Sequence, residues 1–193
     1  MCFSTDFWNE RYQNEKTAWD IKYPSTPLKE YIYQIDNKEL RILIPGCGNA
    51  YEAEYLIEQG FTNITLIDIS DVLVESLKNK FVNTPQITIL NQDFFDLQGE
   101  FDLIIEQTFF CAIDPNLRTA YVDKMESLLS ENGRLVGVLF NIDFNNPFPP
   151  FGGNKEEYEQ LFRNKFKFKH FEVAYNSIKP RSGNELFICL LKV

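Results

Sequence analysis

Two glycines in Leu43-Ile-Pro-Gly46-Cys-Gly48, an acid about twenty residues further on at Asp68, and the pair Asp93-Phe94 are residues whose types and spacing suggest chemistry. Glycines that follow an apolar strand and precede a helix let a ligand approach the backbone, because a Cβ would fill that space. Asp68, with Ile69 beside it, falls at the end of the next apolar run, where a carboxylate can accept hydrogen bonds from two ribose hydroxyls. Asp93 can accept from an adenine amino group, and Phe94 can cover a face of the ring. These residues therefore read as an adenosine site. The acid alone serves a nicotinamide dinucleotide and adenosylmethionine equally. The dinucleotide pattern G-x-G-x-x-G, however, needs a third glycine at position 51, where strand and helix close over a pyrophosphate, and this chain has Tyr51. Adenosylmethionine has no pyrophosphate and needs only the first turn. A nicotinamide oxidoreductase is the competing enzyme, and a non-catalytic module that keeps the pocket is a third possibility.

The aromatic residues of the first forty positions bear on the choice. Trp8 and Tyr12 share a helix face, and Trp19 follows in the next loop, within a longer comb of Phe7, Tyr23, Tyr31 and Tyr33. Stripes of this kind usually pack a core. Beside a sulfonium they have a second use, because aromatic faces attract a fixed cation without becoming nucleophiles it could methylate.

Short apolar runs alternating with helix-period segments must position these residues. Strands are expected at 41–45, 64–68, 87–90, 101–106 and 134–140, with crossover helices between them. Glu131-Asn-Gly133 is expected as a turn, and a helix is expected from Pro115 to Leu129. The last two strands, near 167–175 and 185–192, are joined by a loop that suits an antiparallel hairpin. The resulting fold is α/β, a doubly wound, mostly parallel seven-stranded Rossmann-like sheet whose ligand lies beyond the carboxyl ends of the first, second and fourth strands. Residues 1–193 form a single domain in this reading, with 1–40 as a helical, aromatic lid and 41–193 as the core. The segment 141–153, rich in Pro, Asn and Gly, is expected as a binding loop or lid.

Composition narrows the partners. The net charge of −9, from 28 acidic against 19 basic residues, leaves no positive footprint for nucleic acid. The single histidine, His170, stands in an alternating strand-like run and supports neither a catalytic triad nor a histidine-rich zinc site. Cys2, Cys47, Cys111 and Cys189 are too scattered to chelate a metal and fit reduced thiols in the cytoplasm. No signal sequence or membrane span is expected, and a monomer acting on a small molecule is the simplest reading.

The segments Phe7-Trp-Asn-Glu-Arg-Tyr-Gln-Asn-Glu-Lys-Thr-Ala-Trp-Asp20, Leu43-Ile-Pro-Gly-Cys-Gly48, Phe109-Phe-Cys-Ala-Ile-Asp-Pro115 and Arg118-x-x-Tyr121 resemble the thiopurine S-methyltransferase family, including its plant halide and thiol methyltransferases. The resemblance implies a class I methyltransferase fold, adenosylmethionine as donor, S-adenosylhomocysteine as product, and a small soft acceptor. It implies cofactor contacts at Trp8, Tyr12, Trp19, Gly46, Asp68, Asp93, Phe94 and Gln107, and the glycine motif and the end of the second strand add Gly48 and Ile69. Tyr12 and Gln107 stand where the plant enzymes carry Trp and Tyr. Phe140 and Phe151 stand in stretches where related enzymes carry tyrosine near the acceptor, and with Phe110 and Phe148 they are the expected acceptor pocket. A thiol with a pKa near 8.5 already supplies some thiolate, so a general base is optional. Glu106 and Asp114 are the places to look for one, each otherwise a capping or cofactor-ordering carboxylate. Cys111, in an apolar run, is expected to be inert packing.

Overall fold

Strands buried on both faces must be apolar at consecutive positions, and runs of that kind form the centre of the sheet in the computed structural model, which describes residues 3–193. β1 (Ile42–Pro45), β2 (Ile64–Asp68), β3 (Ile87–Asn91), β4 (Phe101–Gln107) and β5 (Leu129–Phe140) are mutually parallel. β6 (Phe166–Val173) and β7 (Glu185–Lys192) complete the sheet, whose spatial order is 3-2-1-4-5-7-6. β7 runs antiparallel to both of its neighbours. The doubly wound sheet with its terminal antiparallel pair matches the expected architecture.

Alternation within single strands sorts the core into two layers. Ile42 and Ile44 of β1 pack with α2 (Thr26–Tyr33), α3 (Tyr51–Glu58) and α4 (Asp71–Lys80), whereas Leu43 packs on the other face with α5 (Arg118–Leu128) and α6 (Lys155–Phe162). Leu43, Leu103, Ile104 and Leu135 retain no exposure, which is worth about 1.5–3 kcal/mol for each side chain. α1 (Thr5–Gln13) has no buried residue and lies against the start of α4, where Asn9 Oδ1 accepts from Ser70 Oγ at 2.7 Å. Within the first forty residues, α1 and the segment after it reach the carboxyl edge of the sheet. α2 instead places Leu28 and Ile32 in the core, and Tyr33 is exposed.

Two boundaries differ from expectation. Glu131-Asn-Gly133 lies inside β5, which pairs Leu129 with Phe101 and, after a register shift, Arg134 with Leu103, so these turn-prone residues mark an irregularity in the ladder. The helix expected from Pro115 starts as a short 3₁₀ turn, Pro115–Leu117, and becomes α-helical at Arg118. Among the described residues no helix is long and apolar enough to cross a membrane. Cys47, Cys111 and Cys189 are free and buried, and Cys2 lies outside the described residues.

Candidate active site

The direction of strand addition reverses at β1, which lies between β2 and β4, and a ligand crevice is expected beyond the carboxyl ends of the strands at such a point. A cavity opens there. Its floor is built from the ends of β1, β2 and β4 and the turn after β3, and its roof from α1 and the loop that follows it. Trp8, Tyr12, Trp19, Gly46, Gly48, Asp68, Ile69, Asp93, Phe94 and Gln107 all border it.

The two glycines differ in purpose. Both have left-handed backbones, with φ of +53° at Gly46 and +52° at Gly48. A Cβ on Gly48 would come no nearer than 3.8 Å to another atom, the Tyr12 hydroxyl, so this position leaves open space against the backbone. A Cβ on Gly46 would lie 2.2 Å from Phe109 Cδ2. The first glycine thus makes room for a protein ring as well as bordering the cavity. Gly46→Ala should lower stability by about 2–4 kcal/mol, the sum of left-handed backbone strain and overpacking. Thermal unfolding checks this, and an unchanged midpoint would contradict the packing role of Phe109.

Asp68 is sunk in the cavity floor. Its Oδ1 accepts from Ser70 N at 2.9 Å, while burial pushes its pKa up to about 6 against the lowering effect of backbone N–H groups. Gln107 Oε1 is buried and has no hydrogen-bond partner, a deficit of about 1–3 kcal/mol that a donor in the cavity would remove. In the roof, Trp19 stands edge-on to Trp8 and Tyr12, with centroids 5.7 and 6.0 Å apart. Asp20 latches this segment to the glycine turn. It accepts from Asn49 Nδ2 at 2.8 Å and from the Tyr51 hydroxyl at 3.2 Å. Tyr51, where a dinucleotide site would need glycine, therefore ties the roof to the floor. Sequence reasoning missed Asp20, although an acid directly after a roof tryptophan was a visible signal. Asp93 caps the 3₁₀ turn Phe94–Asp96 through Phe95 N, and Phe94 packs mostly into core against Phe109 and Tyr121.

The two carboxylates considered as a base are placed differently. Glu106 is fully buried and does not wall the cavity; it accepts from Phe109 N, Phe110 N and the Tyr121 hydroxyl, each at 2.9 Å. Asp114 borders the cavity and caps the turn Pro115–Leu117, with Asn116 N–H holding its carboxyl below the usual range. Cys111 also borders it, with its thiol bonded to Thr108 O at 3.2 Å and pushed by burial up to about 12, so it stays protonated.

The four phenylalanines expected around the acceptor do not wall the cavity. Phe110 is core, packed edge-on against Tyr121 and Tyr158. Phe140 meets Phe144 and lies under the Arg181 guanidinium, and Phe148 is exposed. Phe151 packs on Phe3, with its N–H bonded to Cys111 O at 2.7 Å. The loop stem explains this arrangement. Buried Arg118 donates to Gly152 O at 2.7 Å and pairs with Glu157 at 2.9 Å, fixing the loop so that Pro149 and Pro150 face inward. Arg11 lines the roof as well, its guanidinium stacked 4.4 Å from the Phe7 ring.

The strand order, with the cavity at its reversal point and an acid ending β2, is that of the class I methyltransferase fold. Residues 3–187 match the family model for thiopurine S-methyltransferase, and the chain belongs to that family. It is 30% identical over 189 residues to a probable thiol methyltransferase 2 of Arabidopsis thaliana, covering 94% of this chain and 83% of that one. It is 25% identical over 205 residues to a thiopurine S-methyltransferase of Acinetobacter baylyi, covering 93% of each. Among solved structures, a Burkholderia thailandensis 1,6-didemethyltoxoflavin-N1-methyltransferase with bound S-adenosylhomocysteine superposes with a TM-score of 0.79 at 17% identity, covering 98% of this chain and 87% of that one.

Proposed function

We propose that Asp68, Gly48, Gln107 and the Trp8–Trp19 pair hold adenosylmethionine, and that the chain methylates a small soft nucleophile, with a thiol or sulfide as the preferred acceptor. The observation that carries this reading is a buried carboxylate in the cavity floor opposite an aromatic roof. The donor set fits the cofactor: Asp68 and Gln107 offer acceptors for hydroxyl and amine donors, and Gly48 leaves room at the backbone. Aromatic faces attract a sulfonium by about 0.5–2 kcal/mol.

When bound, adenosylmethionine supplies a methyl group on a cationic sulfur, open to in-line displacement. The chain's own residues bind, orient and keep water out. Pro149, Pro150, Ala112 and Ile113 give the acceptor side an apolar wall, and no residue in it needs to remove a proton from a thiolate or bisulfide. The acidic charge suits a small-molecule enzyme, and the free thiols among the described residues suit the cytoplasm.

Calorimetric titration with S-adenosylhomocysteine, followed by a mass-detected methyl-transfer screen over thiols, sulfide, halides and thiopurines, tests the proposal. Absence of binding by folded protein would refute it, and binding without turnover would indicate a non-catalytic module. Affinity should also depend on pH. If ribose hydroxyls donate to Asp68, only its ionised form binds well, so affinity should fall about tenfold between pH 7 and pH 5. Binding near pH 6 should release on the order of half a proton, measurable as a dependence of the calorimetric heat on buffer ionisation enthalpy.

A further inference from the structure

The segment that carries Trp19 has no helix or strand of its own, so its place is set by its bonds to neighbours. Asp20 ties one side of it to the glycine turn. On the other side the Trp19 backbone carbonyl accepts a hydrogen bond from Arg181 Nη2 at 2.9 Å, across 162 positions of sequence. Arg181 belongs to the turn Lys179–Arg181 between β6 and β7 and does not wall the cavity. Its guanidinium is held from two further directions. Nη1 lies 3.3 Å from Glu185 Oε1, a carboxylate 3% exposed at the head of β7, and the Phe140 ring lies 5.4 Å from Cζ. A planar guanidinium clamped in this way presents its remaining N–H groups in fixed directions.

We infer that Arg181 is a positioning residue for the cofactor site: it sets where Trp19 stands in the roof, and thereby couples docking of the C-terminal hairpin to cofactor binding. The inference rests on the reading that the roof aromatics hold adenosylmethionine. Trp19 meets both Trp8 and Tyr12 edge-on, so moving its backbone disturbs all three rings. It also gives Phe140 a role away from the acceptor, as the plate under the arginine. Lysine at position 181 would keep a positive charge beside Glu185, but a single ammonium on a flexible stem cannot reproduce the fork that reaches both the carboxylate and the carbonyl.

The test uses the fact that the chain has 2 tryptophans, Trp8 and Trp19, so near-ultraviolet circular dichroism of the ligand-free protein reports the pair directly. Arg181→Lys should keep the far-ultraviolet spectrum and reduce the near-ultraviolet tryptophan bands toward those of Trp19→Phe. It should also weaken S-adenosylhomocysteine binding about tenfold, the scale of one charge-assisted hydrogen bond, and raise KM for adenosylmethionine while leaving kcat at saturation within about twofold. If that variant does not fold, the double variant Arg181→Met, Glu185→Met removes the buried pair as a unit and is read in the same way. A folded variant with wild-type tryptophan bands and wild-type affinity overturns the inference. Wild-type protein that binds no S-adenosylhomocysteine overturns the cofactor-site reading instead, and the near-ultraviolet bands then still decide whether Arg181 positions Trp19.

Discussion

Glu106→Ala is expected to lower stability by about 3–5 kcal/mol, a fall in Tm on the order of 10 °C for a chain of this size. Truncation strands the Phe109 and Phe110 N–H groups and the Tyr121 hydroxyl, all of which donate to this carboxylate, and leaves a void beside Gly137, where an added Cβ would lie 2.5 Å from Glu106 Cβ. Glu106→Gln should behave differently. Its amide oxygen can take both backbone N–H groups and its NH₂ can donate to the tyrosine oxygen, so its cost should stay within about 1 kcal/mol. The sign of the pH dependence separates the two variants further. Burial raises the Glu106 pKa to about 7, above its unfolded value. Between roughly pH 4.5 and 7 the folded state then binds more protons than the unfolded state, so this group's contribution to stability falls as pH rises through that window. Glu106→Gln should lack the fall, and its stability relative to wild type should improve from pH 5 to pH 8. Denaturant melts across that range measure both effects, and a wild-type Tm for Glu106→Ala would contradict the network.

Asp68→Ala is expected to weaken S-adenosylhomocysteine binding by about 1.5–3 kcal/mol, roughly ten- to a hundredfold in Kd. Asp68→Asn keeps an acceptor toward Ser70 N but loses the charge, so it should fall between and bind with an affinity that no longer changes near pH 6. The same substitution should leave the ligand-free protein no less stable at pH 8, because a buried acid with a raised pKa opposes folding once ionised. Opposite directions for affinity and stability would identify Asp68 as a binding group maintained at a cost to the fold. A dissociation constant unmoved in both variants would remove the ribose from this carboxylate.

Much of the frame was legible because its physics is local. β1 is buried on both faces and carries an unbroken apolar run, and β2 and β4 carry shorter ones, Leu66-Ile67 and Leu103-Ile-Ile105; Ser70 caps α4 from one position; Gly46 and Gly48 mark a turn that few other residues adopt. Part of the cavity floor follows directly, since the end of β2 dictates where Asp68 emerges, whereas Gln107 at the end of β4 comes only from the family resemblance. What was not legible depends on distant partners. The turn residues 131–133 sit in a strand because Phe101 pairs with Leu129 across the sheet. The loop 141–153 turns prolines toward the cavity because Arg118 grips Gly152, and nothing within the loop announces that grip. Glu106 looks like a base at a strand end until Tyr121 and two amides are found around it.

The position of β7 bears on how the molecule is made. β7 follows β6 in the chain but lies between β5 and β6, so β6 has no sheet partner until residues 185–192 have been synthesised. The five parallel strands can assemble as the chain emerges, whereas closure of the sheet waits for a late, sequence-distant insertion, the kind of step that is slow and prone to misassembly. Arg181 lies in the hairpin that makes this insertion, and Trp19 is translated 162 positions ahead of it. A part of the binding site that leaves the ribosome before the sheet does is therefore locked in place only after the hairpin has formed, and nascent chains are expected to engage no ligand until residues 179–192 have emerged.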